Sequence, residues 1–144
     1  KTGTHSLDVK VGTQHVRVDI PLVTLDEAIS TADAISLHIP AQPNGDAVIG
    51  AAEFARMKPG VMLLNAARGG VVDEDALIEA LDSGQVAGAG LDVFVGEPKP
   101  RQDVVRHARI SLSPHIGAAT GEAQERIGLE IASIVEEISA KQPA

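Results

Sequence analysis

From about residue 24 the chain repeats one pattern: a short apolar run, a glycine-rich or polar loop, and a segment of helical periodicity. That alternation is the rhythm of βα units. Thr24-Leu25-Asp26-Glu27 has the form of a capping box and predicts a short helix through Ala32. The strand-like residues 34–39 follow, and Pro40 stops them. Residues 51–57 predict a second helix, Lys58-Pro59-Gly60 a turn, and residues 61–64 a strand apolar on both faces, as buried parallel strands are. Asp73 can cap a helix over residues 74–83, and Gly84 is placed to end it in the left-handed conformation. Residues 87–91 and Ile110–Leu112 predict two more strands.

The last segment, residues 121–140, carries Ala123, Ile127, Ile131, Ile134, Val135 and Ile138 at helical spacing, so one face is apolar and must pack on something. With strands and helices alternating, right-handed crossovers favour a parallel sheet covered on both faces. The predicted fold class is therefore α/β, three layers, with four strands. The first 23 residues do not share the rhythm. Leu7, Val9 and Val11, then Val16, Val18 and Ile20, alternate with polar residues around Gly12-Thr13-Gln14, which suits a half-buried hairpin or an extended excursion. The expected division is an irregular or hairpin segment over 1–23, the alternating unit over 24–120, and a C-terminal helix and tail over 121–144, with 141–144 frayed.

Composition narrows the classes. At 144 residues, 44% hydrophobic and 22% charged, the chain has the makeup of one ordinary globular unit, not a disordered one. A net charge of -8 argues against a broad electropositive surface for nucleic acid or anionic lipid. No window approaches the ~18 apolar residues of a membrane span, and the Lys1-Thr2-Gly3-Thr4-His5 start has no signal-peptide profile. The absence of cysteine excludes disulfides, thiolate metal sites and a cysteine nucleophile, and fits a reducing cytoplasm.

In a parallel α/β sheet the loops leaving the carboxyl ends of the strands share one edge, and ligands bind there. Reading the strand exits in turn gives Pro40, then Asn65-Ala66-Ala67-Arg68-Gly69-Gly70, then Asp92 through Glu97-Pro98, then Ser113-Pro114-His115-Ile116-Gly117. Arg68, Asp92, Glu97 and His115 can therefore converge. A guanidinium clamps a carboxylate through two parallel hydrogen bonds, and the small residues and glycines around Arg68 let a flat ligand approach the backbone. Imidazole titrates nearest neutral pH, so His115 can exchange a proton at an alcohol or carbonyl oxygen. Glu97 can orient it by bonding the far ring nitrogen and fixing the tautomer.

Taken singly, each has a plainer explanation. Arg68 can be a solvated or salt-bridged arginine, His115 a satisfied turn histidine, and Glu97-Pro98 a surface turn. Their joint placement on one rim is what points to a site. His5, His15 and His107 read as exposed or turn residues, since no spacing among them resembles a metal site. Asp73, Glu74 and Asp75 are explained by a helix N-terminus that favours negative charge.

Residues 57–74, Met-Lys-Pro-Gly-Val-Met-Leu-Leu-Asn-Ala-Ala-Arg-Gly-Gly-Val-Val-Asp-Glu, closely resemble the signature of the D-isomer-specific 2-hydroxyacid dehydrogenases. Gly90-Leu91-Asp92-Val93-Phe94 with Glu97-Pro98, and Ser113-Pro114-His115-Ile116-Gly117-Ala118-Ala119-Thr120 followed by Glu122-Ala123-Gln124, resemble the family's two later blocks in the family's order. The resemblance runs from about Thr24 to Ala140, and the His115 block looks most like the phosphoglycerate branch, which acts in serine biosynthesis. It implies a Rossmann-type domain, of which 24–120 is the second half, and hydride exchange between NAD and the carbon bearing a substrate hydroxyl. By the same resemblance Arg68 binds the substrate carboxylate, His115 is the general acid/base and Glu97 supports it. Asp92 holds the carboxamide side of the nicotinamide, His38 and Pro40 line the cofactor pocket beside the adenosine, and Ala66, Ala67 and Gly117 border the nicotinamide. Family members are usually dimers built through this domain, so a homodimer acting on a small 2-hydroxyacid or 2-oxoacid is expected.

The departures from the family are equally specific. No G-x-G-x-x-G occurs; Gly88-Ala89-Gly90 has Val93 where the third glycine belongs. Neither the acidic residue that binds the ribose nor the family's separate substrate domain is represented, and residues 4–20 are unlike the common pattern. The chain is thus expected to be a C-terminal portion of such an enzyme, inactive by itself. Two other readings compete with it: a non-catalytic, corepressor-like dinucleotide sensor of the same fold, and a structural half-domain that acts only by association.

Overall fold

A computed structural model of the chain describes residues 3–141. An antiparallel hairpin of β1 (Gly3–Val11) and β2 (Gln14–Leu22) is followed by α1 (Leu25–Thr31), β3 (Ala34–Leu37), α2 (Ala51–Phe54) and β4 (Val61–Asn65). Then come α3 (Glu74–Asp82), β5 (Val86–Leu91), α4 (Gln102–Arg106), β6 (Ile110–Leu112) and α5 (Gly121–Lys141). Strands β3 to β6 form one parallel sheet in sequential order, so the expected α/β class with its four strands is present.

Local chemistry sets the element ends. Thr24 Oγ1 accepts from the Glu27 amide at 3.2 Å and starts α1; Asp73 Oδ1 accepts from Asp75 and Ala76 at 3.0 and 3.1 Å and starts α3. Gly84, at φ +80, follows α3 in the left-handed conformation. Two elements are shorter than the apolar pattern suggests. Helix α2 ends at Phe54, because Arg56 and Met57 bond back three residues and Pro59 cannot continue a helix. Strand β3 ends at Leu37, not residue 39, because its partner residue Asn65 is the last of β4 and the partner chain turns away there.

A sheet advancing in one direction through right-handed crossovers puts its connecting helices on one face. The core lies there, where Val61 and Leu63 of β4 pack with Phe54, Leu77, Leu81 and Val104. The other face carries Met62 and Leu64, 45% and 46% exposed, so no second helical layer covers them among the described residues. Gly88 and Gly90 of β5 lie beside these two side chains, within 3.2 and 3.5 Å of where a Cβ would stand.

The hairpin turns at Gly12, whose φ of +62 suits the first central position of a two-residue loop. Its apolar pairs Leu7–Val18 and Val9–Val16 face each other across the strands but stay exposed, where half-burial was expected, because the hairpin forms a separate two-stranded sheet. Helix α5 likewise leaves Ile127, Ile131, Ile134, Val135 and Ile138 exposed, so the packing its stripe requires is not supplied by the described residues. Of the tail expected to fray, residues 142–144 lie outside the described residues.

Candidate active site

The carboxyl ends of β3, β4, β5 and β6 lie along one edge because the four strands are parallel, and each exit contributes a loop. At the end of β4, buried Asn65 ties its loop shut: Nδ2 donates to the Arg68 carbonyl at 3.1 Å and Oδ1 accepts from the Ala67 amide at 3.1 Å. Arg68 is thereby held on a short rigid turn. Its Nη1 donates to the Ala67 carbonyl at 2.6 Å, and the side chain is exposed. A hollow of about 350 Å³ is lined by His38, Ile39, Pro40, Ala66, Ala67 and Arg68. The His38 ring bonds the Ser36 hydroxyl through Nε2 at 2.8 Å.

At the end of β5, buried Asp92 organises the turn after β6. Its Oδ1 accepts from the Ser113 hydroxyl at 2.6 Å and the Ile116 amide at 2.9 Å, and its Oδ2 from the Gly117 amide at 2.7 Å. Burial pushes the Asp92 carboxyl upward, but these three donors, together with nearby His115, outweigh it and hold the group below its usual range. Gly117 is required by this contact, since a Cβ there would lie 2.8 Å from Asp92 Oδ2 and 3.9 Å from the Ala66 methyl. The same turn places His115 at φ +54, a left-handed conformation that histidine tolerates better than most side chains.

His115 Nδ1 lies 2.7 Å from Glu97 Oε2, and Glu97 Oε1 accepts from the Phe94 amide at 2.8 Å. The hydrogen bond to His115, then that from Phe94, holds the Glu97 carboxyl below the usual glutamate range. An ionised carboxylate only accepts, so Nδ1 carries the proton and Nε2 is the ring nitrogen left to exchange one with a ligand. Beside the pair, Phe94, Pro98, Pro100 and Pro114 give an apolar wall to a second hollow of about 340 Å³.

The structure thus brings Asp92, Glu97, His115 and Gly117 into one bonded cluster, with Ala66 against it. Arg68 joins through its backbone, since the adjacent Gly69 abuts Phe94, while its guanidinium bonds neither Glu97 nor His115. His38, Pro40 and Ala67 line the adjoining hollow. Asn65, Ser113 and Glu74 also build the site and were not singled out from the sequence for it. An Asn directly before Ala-Ala-Arg-Gly at a strand end is a readable signal for the first, because Asn bonds backbone two residues on. Among the described residues no group of three or more His, Asp or Glu could hold a metal ion, and no helix is long and apolar enough to cross a membrane.

Comparison with known proteins agrees with this architecture. A model of the D-isomer specific 2-hydroxyacid dehydrogenase, NAD binding domain, matches residues 5–117. It starts well before Thr24, taking in most of the hairpin, and stops short of α5, where the motif resemblance had begun later and run further. D-3-phosphoglycerate dehydrogenase 2, chloroplastic, of Arabidopsis thaliana is 50% identical over 117 residues, covering 81% of this chain and 19% of that protein. D-3-phosphoglycerate dehydrogenase of Mycobacterium bovis is 44% identical over 119 residues, covering 83% and 22%. The chain therefore spans about a fifth of the length of these relatives. Among solved structures, a glyoxylate reductase from Paecilomyes thermophila superposes with a TM-score of 0.68 at 41% identity, covering 74% of this chain and 33% of that one. D-lactate dehydrogenase from Aquifex aeolicus, complexed with NAD and lactic acid, gives 0.65 at 33% identity, covering 82% and 40%. With its fold, its rim of Arg68, Glu97 and His115, and these matches in agreement, the chain belongs to the D-isomer specific 2-hydroxyacid dehydrogenase family, as part of its NAD binding domain.

Proposed function

We propose that this chain is the nicotinamide-side portion of an NAD-dependent D-2-hydroxyacid dehydrogenase of phosphoglycerate type, acting in the cytoplasm as a homodimer on 3-phosphoglycerate, a step in serine biosynthesis. The observation that carries the reading is the 2.7 Å His115–Glu97 pair held on the same rim as the Arg68 turn. The two relatives named above, both phosphoglycerate dehydrogenases, support the substrate.

The residues present fit the nicotinamide end of a dinucleotide. Gly117 leaves open the space a Cβ would fill against Ala66 and Asp92, and the hollow beside Ala66 and Ala67 extends to His38 and Pro40, which would lie beside the adenosine. These residues would hold NAD, Asp92 facing the carboxamide through lone pairs its three donors leave unused. When bound, the nicotinamide supplies or accepts the hydride. The protein's own part is proton transfer and charge placement. Arg68, on a turn closed by Asn65, binds the substrate carboxylate in two parallel hydrogen bonds and polarises the neighbouring carbonyl. His115 Nε2 gives a proton to that carbonyl oxygen during reduction and takes it from the hydroxyl during oxidation. Glu97 keeps the proton on Nδ1, so the ring passes between the imidazolium that gives the Nε2 proton and the single neutral Nδ1–H tautomer that takes it back.

The test uses the full-length protein that carries this chain, assayed by NADH oxidation with the 2-oxo form of 3-phosphoglycerate. Turnover that disappears in His115→Ala while NADH still binds supports the assignment. NADH binding without turnover in the unaltered protein would replace it with the dinucleotide-sensing scaffold.

A further inference from the structure

The His115–Glu97 pair keeps its geometry only if the loop bearing Glu97 is held still, and the hold comes from outside that loop. The Val95 amide, one residue after the Phe94 amide that orients Glu97, donates to Glu74 Oε1 at 2.8 Å. Glu74 is the first residue of α3 and is 8% exposed, and its Oε2 is buried with no hydrogen-bond partner among the described residues. On the other side of the loop, Gly69 touches its backbone so closely that a Cβ would stand 2.0 Å from the Phe94 carbonyl oxygen and 2.6 Å from its carbon.

A helix N-terminus gains from acidic side chains that stay in water, and α3 already has exposed Asp75 and the Asp73 cap. Burying a carboxylate with one oxygen unpaired is unfavourable, so capping does not explain Glu74. Its single bond to Val95 does. We propose that Glu74 is a positioning residue: its carboxylate and the side-chain-free backbone at Gly69 clamp the Phe94–Glu97 loop onto the Arg68 turn from two sides. The clamp keeps the carboxylate-binding arginine and the proton-transfer pair at one spacing. The inference rests on the roles proposed above for Arg68, Glu97 and His115.

The test separates the clamp from the chemistry. Amide hydrogen exchange at Phe94 and Val95 and the downfield Nδ1–H resonance of His115 are followed by NMR in this chain, with exchange at Leu63 in the core as the control for folding. Glu74→Leu removes the acceptor and should speed exchange at Val95 about tenfold, the loss of one hydrogen bond of ordinary strength, and broaden the Nδ1–H signal. Glu74→Gln keeps an acceptor oxygen and should restore both. Gly69→Ala, which crowds Phe94 without touching Glu74, should produce the same loosening and serves where Glu74→Leu loses Leu63 protection. In the full-length enzyme, Glu74→Leu should lower kcat and Glu74→Gln recover it. Unchanged Val95 exchange and an unchanged Nδ1–H signal in folded Glu74→Leu and Gly69→Ala would overturn the clamp, whatever the enzyme does. A loosened loop in a protein that reduces no 2-oxoacid would overturn the dehydrogenase reading and leave the clamp standing.

Discussion

His115 owes its position to Asp92 as much as to its own turn. Three donors from residues 113–117 end on that one carboxylate, and the strained φ of +54 at His115 persists because they fix the residues on both sides. Asn at position 92 has one acceptor oxygen where Asp has two, so Asp92→Asn should leave a buried amide unpaired and destabilise the fold by about 1–3 kcal/mol near neutral pH. The pH dependence has a definite sign. Asp92 and Glu97 are both held below their usual range in the folded state, so the stability they contribute is present above about pH 4, near their unfolded values. It is lost as pH falls further and the carboxylates protonate. Urea midpoints should owe no change to these groups between pH 7 and about pH 4, then fall at lower pH in the unaltered chain and fall less in Asp92→Asn; parallel curves would rule out the carboxylate as their source. On the role proposed for His115, His115→Ala in the full-length protein that carries this chain should cost about 10²–10⁴ in kcat with NADH affinity kept. On the role proposed for Arg68, Arg68→Ala should raise KM for the oxoacid and lower kcat together, because it would remove both a ground-state anchor and a transition-state charge. Steady-state kinetics with NADH titration by fluorescence separates the two.

At the scale of elements, α3 joins core and site. Leu77 and Leu81 are fully buried against the sheet, while its first turn sends Glu74 to Val95 and its cap is Asp73. Asp73→Ala should destabilise by about 1 kcal/mol, the ordinary value of an N-cap, and Leu77→Ala by about 2–5 kcal/mol through the cavity it leaves. Thermal or urea unfolding checks both, and near-equal losses would mean that α3 docks less firmly than its burial indicates. What the sequence made legible follows from how local each cause is. The caps at Thr24 and Asp73, the stop at Gly84 and the four parallel strands depend on neighbours within a few residues or on apolar runs, and all are found. The convergence of Glu97 with His115 followed from strand-end topology alone. The parts that were hidden depend on distant pairings: Glu74 looks like any acidic residue in a first helical turn until Val95, 21 positions on, is seen to bond it. Ser113 gives no signal without Asp92, and the shortened β3 is set by where β4 ends. Burial of the hairpin and of α5 was read from alternation and periodicity, which specify an apolar face but not what covers it.

A net charge of -8 on the chain is combined with three apolar surfaces that are left uncovered among the described residues. One is the sheet face at Met62 and Leu64, another the Leu7–Val18 and Val9–Val16 face of the hairpin, and the third the stripe of Ile127, Ile131, Ile134 and Ile138 on α5. Such area favours association through burial of apolar surface, at about 25 cal/mol per Å² before the costs of ordering. The like charges oppose it through repulsion between copies. The two forces respond differently to salt. Raising ionic strength from 0.1 to 1 M shortens the screening length from about 10 Å to about 3 Å, which removes the repulsion and leaves the apolar attraction intact. Association of the chain should therefore strengthen with salt, opposite to an interface held by ion pairs. Placing Lys at positions 131 and 138 together puts charge into the centre of the α5 stripe and should shift the chain toward monomer at every salt concentration. Sedimentation velocity at several concentrations, with and without 1 M salt, decides it. Association that weakens with salt would mean an interface held by ion pairs and overturn the apolar account, whereas association that still strengthens with salt in Ile131→Lys with Ile138→Lys would place the contact elsewhere than α5 and make the sheet face the next surface to alter.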